Sequence, residues 1–126
     1  MANVMELEIN GSVYRFKAGF AFIREVEPLK TQVQNGVRQD VGLNFVLAGI
    51  YDGDVESLRI ALDKMNKGET PRITQAQLEE YIEECDDIEK LFKDTMDFLS
   101  NANCLKLKVK KFAKAVADLE TKNVEA

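Results

Sequence analysis

The stretch MELEINGSVYRFK, residues 5–17, decides the fold class. Met5, Leu7 and Ile9 alternate with Glu6 and Glu8, the two-residue period of a half-buried strand. Asn10-Gly11 follows, a dipeptide favoured in two-residue hairpin turns because both central residues need positive φ. With that turn Leu7 faces Tyr14 and Met5 faces Phe16, which makes one face of the ribbon apolar and aromatic. An isolated hairpin is marginal in water, so this face must be covered by something else in the chain. The remaining sequence supplies helices. The expected fold is mainly α with an N-terminal β-hairpin (α+β), a compact bundle of roughly five or six short helices carrying the hairpin.

Downstream, GFAFIREVEPLKTQVQ (19–34) puts Phe22, Val26, Leu29 and Val33 at helical spacing. Pro28 should kink that helix or end its first part. NGVRQDVG (35–42) reads as a break marked by Asn35-Gly36. LNFVLAGIY (43–51) is apolar nearly all round and predicts a buried helix. The next helix carries Val55, Leu58, Ala61, Leu62 and Met65 as one stripe and stops at Asn66-Lys67-Gly68. Thr74 and Gln77 have capping-box spacing and open a helix to about Glu84.

A further helix, from about Asp87 to Asn101, directs Ile88, Leu91, Phe92, Thr95, Met96 and Leu99 inward. The last, from about Asn103 to Leu119, spaces Leu105, Val109, Phe112, Val116 and Leu119 by fours and threes. No linker divides the chain. The expectation is one helical domain over residues 1–119, its hairpin at about 5–17, and a flexible tail at 120–126.

DGDVE, residues 52–56, poses a chemical question. Asp52, Asp54 and Glu56 occupy the first, third and fifth positions of a calcium loop. The sixth is Ser57 where such a loop needs glycine, and the twelfth is Asp63 where it needs a bidentate glutamate. The spacing is better explained by a turn: Gly53 reverses the chain and Asp54 caps the helix that follows.

Composition narrows the chemistry further. The chain has 126 residues, 45% of them hydrophobic and 31% charged, with a net charge of -5 that argues against a nucleic-acid partner. There is no histidine, which removes Ser-His-Asp and Cys-His catalysis, histidine zinc sites and imidazole switches. Cys85 and Cys104 are too few for a disulfide scaffold and read as reduced thiols in a cytoplasmic setting. No apolar run approaches the roughly 20 residues of a membrane span, and the N-terminus lacks the pattern of a signal peptide. No glycine-rich phosphate cradle occurs. The expectations are no catalytic residues, no metal site and no cofactor.

Two charged segments remain. EEYIEECDDIEKLFKDTMD (79–97) holds nine acidic residues against Lys90 and Lys93, and reads as the solvated face of amphipathic helices. CLKLKVKKFAK (104–114) holds Lys106, Lys108, Lys110, Lys111 and Lys114 around an apolar seam. A membrane or nucleic-acid surface is disfavoured there, since tryptophan and arginine are absent and the neighbouring segment is acidic. The seam Leu105, Val109, Phe112 and Val116 is either core or the contact with a partner helix; as a partner-binding site it is the candidate the sequence offers.

Taken in order, MELEINGSVYRFKAGFAFIRE, NGVRQDVGLNFVLAGIYDGDVESL, MNKGETPRITQAQLEEYIEE and DIEKLFKDTMDFLSNANCLKLKVKK resemble the small, short-form tail assembly chaperones of long-tailed bacteriophages. The likeness covers about residues 5–115 and lies in turn and packing patterns. It implies a non-enzymatic protein that binds and solubilises the tape measure protein and helps recruit tail tube subunits. It also implies self-association, action in the host cytoplasm and absence from the mature virion. A structural tail-completion or head-tail connector protein of the virion is the competing expectation.

Overall fold

The N-terminal ribbon forms with the register that the alternation and the Asn-Gly turn require. In the computed structural model, which describes residues 4–125 and side chains as far as Glu120, β1 (Val4–Ile9) pairs antiparallel with β2 (Ser12–Lys17). Met5 stands opposite Phe16 and Leu7 opposite Tyr14. Asn10 and Gly11 carry φ of 52° and 82°. Ile9, Tyr14 and Phe16 are buried, and β2 lies on the helix α3 described below.

A first helix, α1 (Phe20–Val26), follows, and here the structure corrects the sequence reading. The helix does not run on to Val33. It passes into a single 3-10 turn at Glu27–Leu29 with Pro28 inside it, because Pro28 has no N–H to give to a continuing ladder. Beyond it the chain forms a second hairpin, β3 (Thr31–Gln34) with β4 (Val37–Asp40), closed by Asn35-Gly36 at φ of 54° and 76°. Val33, expected at helical spacing with Phe22 and Val26, stands in β3 and is 70% exposed, and Leu29 is half-exposed. Val33 pairs with Arg38 and Val37 with Gln34, so the valines lie on opposite faces and neither face is an apolar sheet. Val33→Thr is therefore expected to change unfolding free energy by less than about 0.5 kcal/mol. A loss above about 1.5 kcal/mol in urea titration would place Val33 in a core after all.

The remaining helices are α2 (Gly42–Tyr51), α3 (Val55–Asn66), α4 (Gln75–Glu83), α5 (Ile88–Asn101) and α6 (Lys106–Glu125). The fold is thus α+β, with two small hairpins among the described residues. α3 is the hub, touching β2, α1, α2 and α4. Its Leu58, Ala61, Leu62 and Met65 are buried to 1% exposure or less. Burying one leucine is worth about 2 kcal/mol, so this stripe alone anchors much of the domain. α5 lies against α2 and α6 against α5, extending the same cluster through Leu91, Leu99, Leu105 and Val109.

The N-termini of α3, α4 and α5 are capped by side chains. Asp54 accepts from the Ser57 backbone N–H at 3.1 Å, Thr74 and Gln77 form a reciprocal capping box, and Asp87 accepts from the Lys90 N–H at 3.1 Å. α2, expected to be enclosed, buries Leu43, Val46, Leu47 and Ile50 but leaves Phe45 and Tyr51 half-exposed. α6 continues beyond the expected end at Leu119, with helical backbone to Glu125; side chains from 121 onward, where the tail was expected, lie outside the described ones.

Candidate functional site

The four seam residues of α6 do not share one environment. Leu105, completely buried, and Val109, 6% exposed, complete the core where α6 starts, and the Val109 N–H donates to the Leu105 carbonyl at 2.9 Å. Phe112 and Val116 are half-buried, one and two helical turns further on. The Phe112 ring meets the Tyr51 ring edge-on, with centroids 6.2 Å apart and planes at 76°. The Tyr51 hydroxyl then donates to a Glu120 carboxylate oxygen at 2.6 Å. That bond to Glu120 raises the Tyr51 pKa above the ordinary phenol value, with desolvation adding to it.

The result is a strip along one side of α6. Phe112, Val116 and Leu119 fall on it by helical spacing, and Tyr51 continues it from the end of α2. Tyr51 and Leu119 are 53% and 61% exposed, more than the interior needs. Rows of apolar side chains of this kind are the surfaces on which helical partners settle.

A second apolar opening lies across the molecule's other elements. A groove of about 720 Å³ runs between the start of α1, the end of α3 and the α5–α6 turn. Phe20, 68% exposed, stands at it beneath the Arg24 guanidinium, 5.7 Å from the ring centre. Lys17, Lys64 and Lys67 also line it. Lys67 pairs with Glu25 and through that hydrogen bond lowers the Glu25 pKa.

In the DGDVE stretch the carboxylates of Asp54 and Glu56 are engaged in local hydrogen bonds. Asp54 accepts from both the backbone and the hydroxyl of Ser57, the latter at 2.7 Å. Glu56 accepts from the Arg59 Nε at 3.0 Å, and this pair raises the Arg59 pKa. Gly53 takes the turn at φ 79°. Among the described residues no group of three or more Cys, Asp or Glu is placed to hold a metal ion. Cys85 and Cys104 are both free, Cys104 being exposed. No described helix is long and apolar enough to cross a membrane.

The family model described as phage tail assembly chaperone protein, TAC, matches residues 6–114. The chain belongs to that family. No curated protein and no solved structure matches it. Tail assembly chaperones act by contact with other tail proteins, a non-catalytic role. The match runs from β1 through the lysine-rich part of α6, so in this chaperone it includes the core residues Leu105 and Val109 and the half-buried Phe112. Val116, Leu119 and the Glu120 contact lie beyond it.

Two features of this chaperone were not legible as sites in the sequence. Phe20 stands two residues before the stripe residue Phe22, and nothing local marks it as exposed. Tyr51 read as the end of an enclosed helix; its partners Phe112 and Glu120 are 61 and 69 residues away.

Proposed function

We propose that this chaperone binds the tape measure protein of its own phage and holds it soluble while the tail is built. On this reading it assists recruitment of tail tube subunits, works in the host cytoplasm without catalysis, and leaves before the virion is complete. The observation that carries the reading is the family match over nearly the whole domain. The strip of half-buried Phe112 and Val116 with exposed Tyr51 and Leu119 supports it physically. A long helical client exposes apolar seams that aggregate. A partner helix with an apolar side and a charged outer face covers one segment of such a seam and keeps the complex soluble. Several copies along one client, each bound weakly, give avidity yet release stepwise when tube subunits compete.

Co-expression with the tape measure protein tests this. The expected result is a client that is insoluble alone and co-purifies from the soluble fraction with the chaperone. Val116→Asp with Leu119→Asp, both away from the buried core, is expected to lower the captured client at least about tenfold at unchanged helicity. A client that stays insoluble, with nothing co-purifying, overturns the reading. Recovery of the chain from purified virions would point to a structural tail component instead.

A further inference from the structure

The groove at Phe20 is separate from the apolar strip on α6. Cys104 lines the groove from the turn that opens α6, and the helix then rises roughly 15 Å from Lys106 to Val116. The floor of the groove is apolar. Ala18 and Phe22 are buried to 2% exposure or less, while the Phe20 ring stands open to water. A single exposed apolar side chain is ordinary, but one set at a groove of this volume is a place for a ligand to settle.

The rim is basic. Lys17, Lys64 and Lys67 line it against one carboxylate, Glu69, which lies 3.8 Å from the Arg15 Nε. Among the described residues Lys17 has no ion pair. Lys64 reaches Asp63 at 3.6 Å, but Arg72 holds Asp63 more closely, at 2.8 Å. Lys67 pairs with Glu25 largely in water, where such a contact exchanges at little cost. On a chain of net charge -5 this is a local reversal of sign.

We propose that the groove holds a short, extended, acidic segment of a partner protein, with an apolar side chain against Phe20 and flanking carboxylates at the lysines. Volume decides against a helix. A helix about 11 Å across would fill 720 Å³ in roughly a turn and a half, too little to seat an apolar face. An extended segment places one or two side chains in the groove and leaves its charges at the rim. The acidic run of a second copy, 79–97, is no substitute. Its Tyr81, Ile82, Ile88 and Leu91 are already packed on or within the core of their own chain, so none is free to enter. The inference does not rest on the tape-measure reading, since it concerns a different surface from the α6 strip.

Titration of the isotopically labelled full chain with synthetic peptides, followed by amide NMR shifts, tests this. The probes are acetylated Asp-Glu-Phe-Leu-Glu-Asp, the same peptide with serine for Phe-Leu, and the same peptide with lysine for every acid. The first is expected to give saturable shifts at Ala18, Gly19, Gly68 and Asn103, and the other two at least about tenfold weaker binding. Raising salt from about 0.05 M to 0.5 M should weaken the first severalfold. Phe20→Ser should weaken it at least about tenfold at unchanged helicity. Lys17→Glu with Lys67→Glu should reverse the preference between the acidic and the lysine peptide. No saturable shift up to about 1 mM peptide overturns the proposal, as do shifts confined to the α6 strip or equal binding of all three peptides. Shifts at the groove that grow with protein concentration alone, and vanish in Phe20→Ser, overturn it by giving the groove to a second copy. Peptide binding beside an insoluble client leaves the groove standing and removes the chaperone reading.

Discussion

Asn66→Ala is expected to destabilise the protein by about 3 kcal/mol, lowering the thermal midpoint by roughly 10 °C. Asn66 is fully buried at the end of α3, and every polar atom of its side chain is used. Its amide donates to the Arg15 carbonyl at 2.9 Å and to the Pro71 carbonyl at 3.2 Å. Its oxygen accepts from the Ile73 N–H at 2.7 Å and from Arg72 at 3.1 Å. Alanine leaves the Ile73 N–H unpaired beside a buried side chain, and each such orphan costs about 1–3 kcal/mol. It also removes the bridge between β2 and the Pro71–Ile73 loop, leaving the Arg15–Glu69 ion pair to span that junction. Arg72→Ala is the control. Arg72 is substantially exposed and pairs with Asp63 at 2.8 Å, so its loss should cost about 1 kcal/mol. Urea titration of the three proteins separates the cases. Equal, small losses for both variants would mean that the loop is held by something other than Asn66.

Asn66 shows why part of the fold was legible in the sequence and part was not. Local signals were read well. Alternation and Asn10-Gly11 predict the first hairpin with its register, Asp54 and Thr74 predict their caps, and the stripe on α3 is the core. Asn66, by contrast, reads as a helix stop, and its partner Arg15 is 51 residues away. Glu27 is another such case: its carboxylate accepts from the Leu43 N–H at 2.8 Å and so serves a helix it does not belong to. The second hairpin was missed although its turn is the same dipeptide as the first. TQVQ and VRQD lack the apolar alternation that announces a buried face, and this ribbon has none.

The same distinction applies to the interaction surfaces. The period of α6 is visible from its first residue, but period alone does not separate a helix side spent on the core from one left for a partner. The structure divides it by position: Leu105 and Val109 inward at the start, Phe112 and Val116 half-buried beyond, Leu119 exposed. A cleft between the end of β1, the end of α4 and the start of α5, walled by Glu8, Glu80, Glu84 and Asp87, was hidden for a different reason. Its segment 79–97 was visible as a charge run, but Glu8 and Leu7 come from β1, and only the fold brings that strand to α4 and α5.

Gly42→Ala is expected to cost about 3 kcal/mol or more, and for a reason that no second side chain can relieve. A Cβ at Gly42 would lie 1.8 Å from the Val26 carbonyl oxygen and 2.7 Å from that of Glu27. Both are backbone atoms at the junction where α1 ends, so α2 must move away from α1 to admit a methyl group. The movement strains the Leu43 N–H bond to Glu27 and loosens the packing of Val26, which is fully buried. Gly49 provides the comparison. A Cβ there meets the Ser57 Oγ at 1.9 Å and its Cβ at 2.5 Å, which are side-chain atoms. Gly49→Ala should therefore be partly rescued by Ser57→Gly, whereas Gly42→Ala has no corresponding partner to shorten. Urea midpoints for the two alanine variants and the double variant measure this directly. Wild-type stability of Gly42→Ala would mean that α2 slides along α1 at little cost. The Phe20 groove, which α1 opens, would then belong to a mobile wall and not to a fixed one.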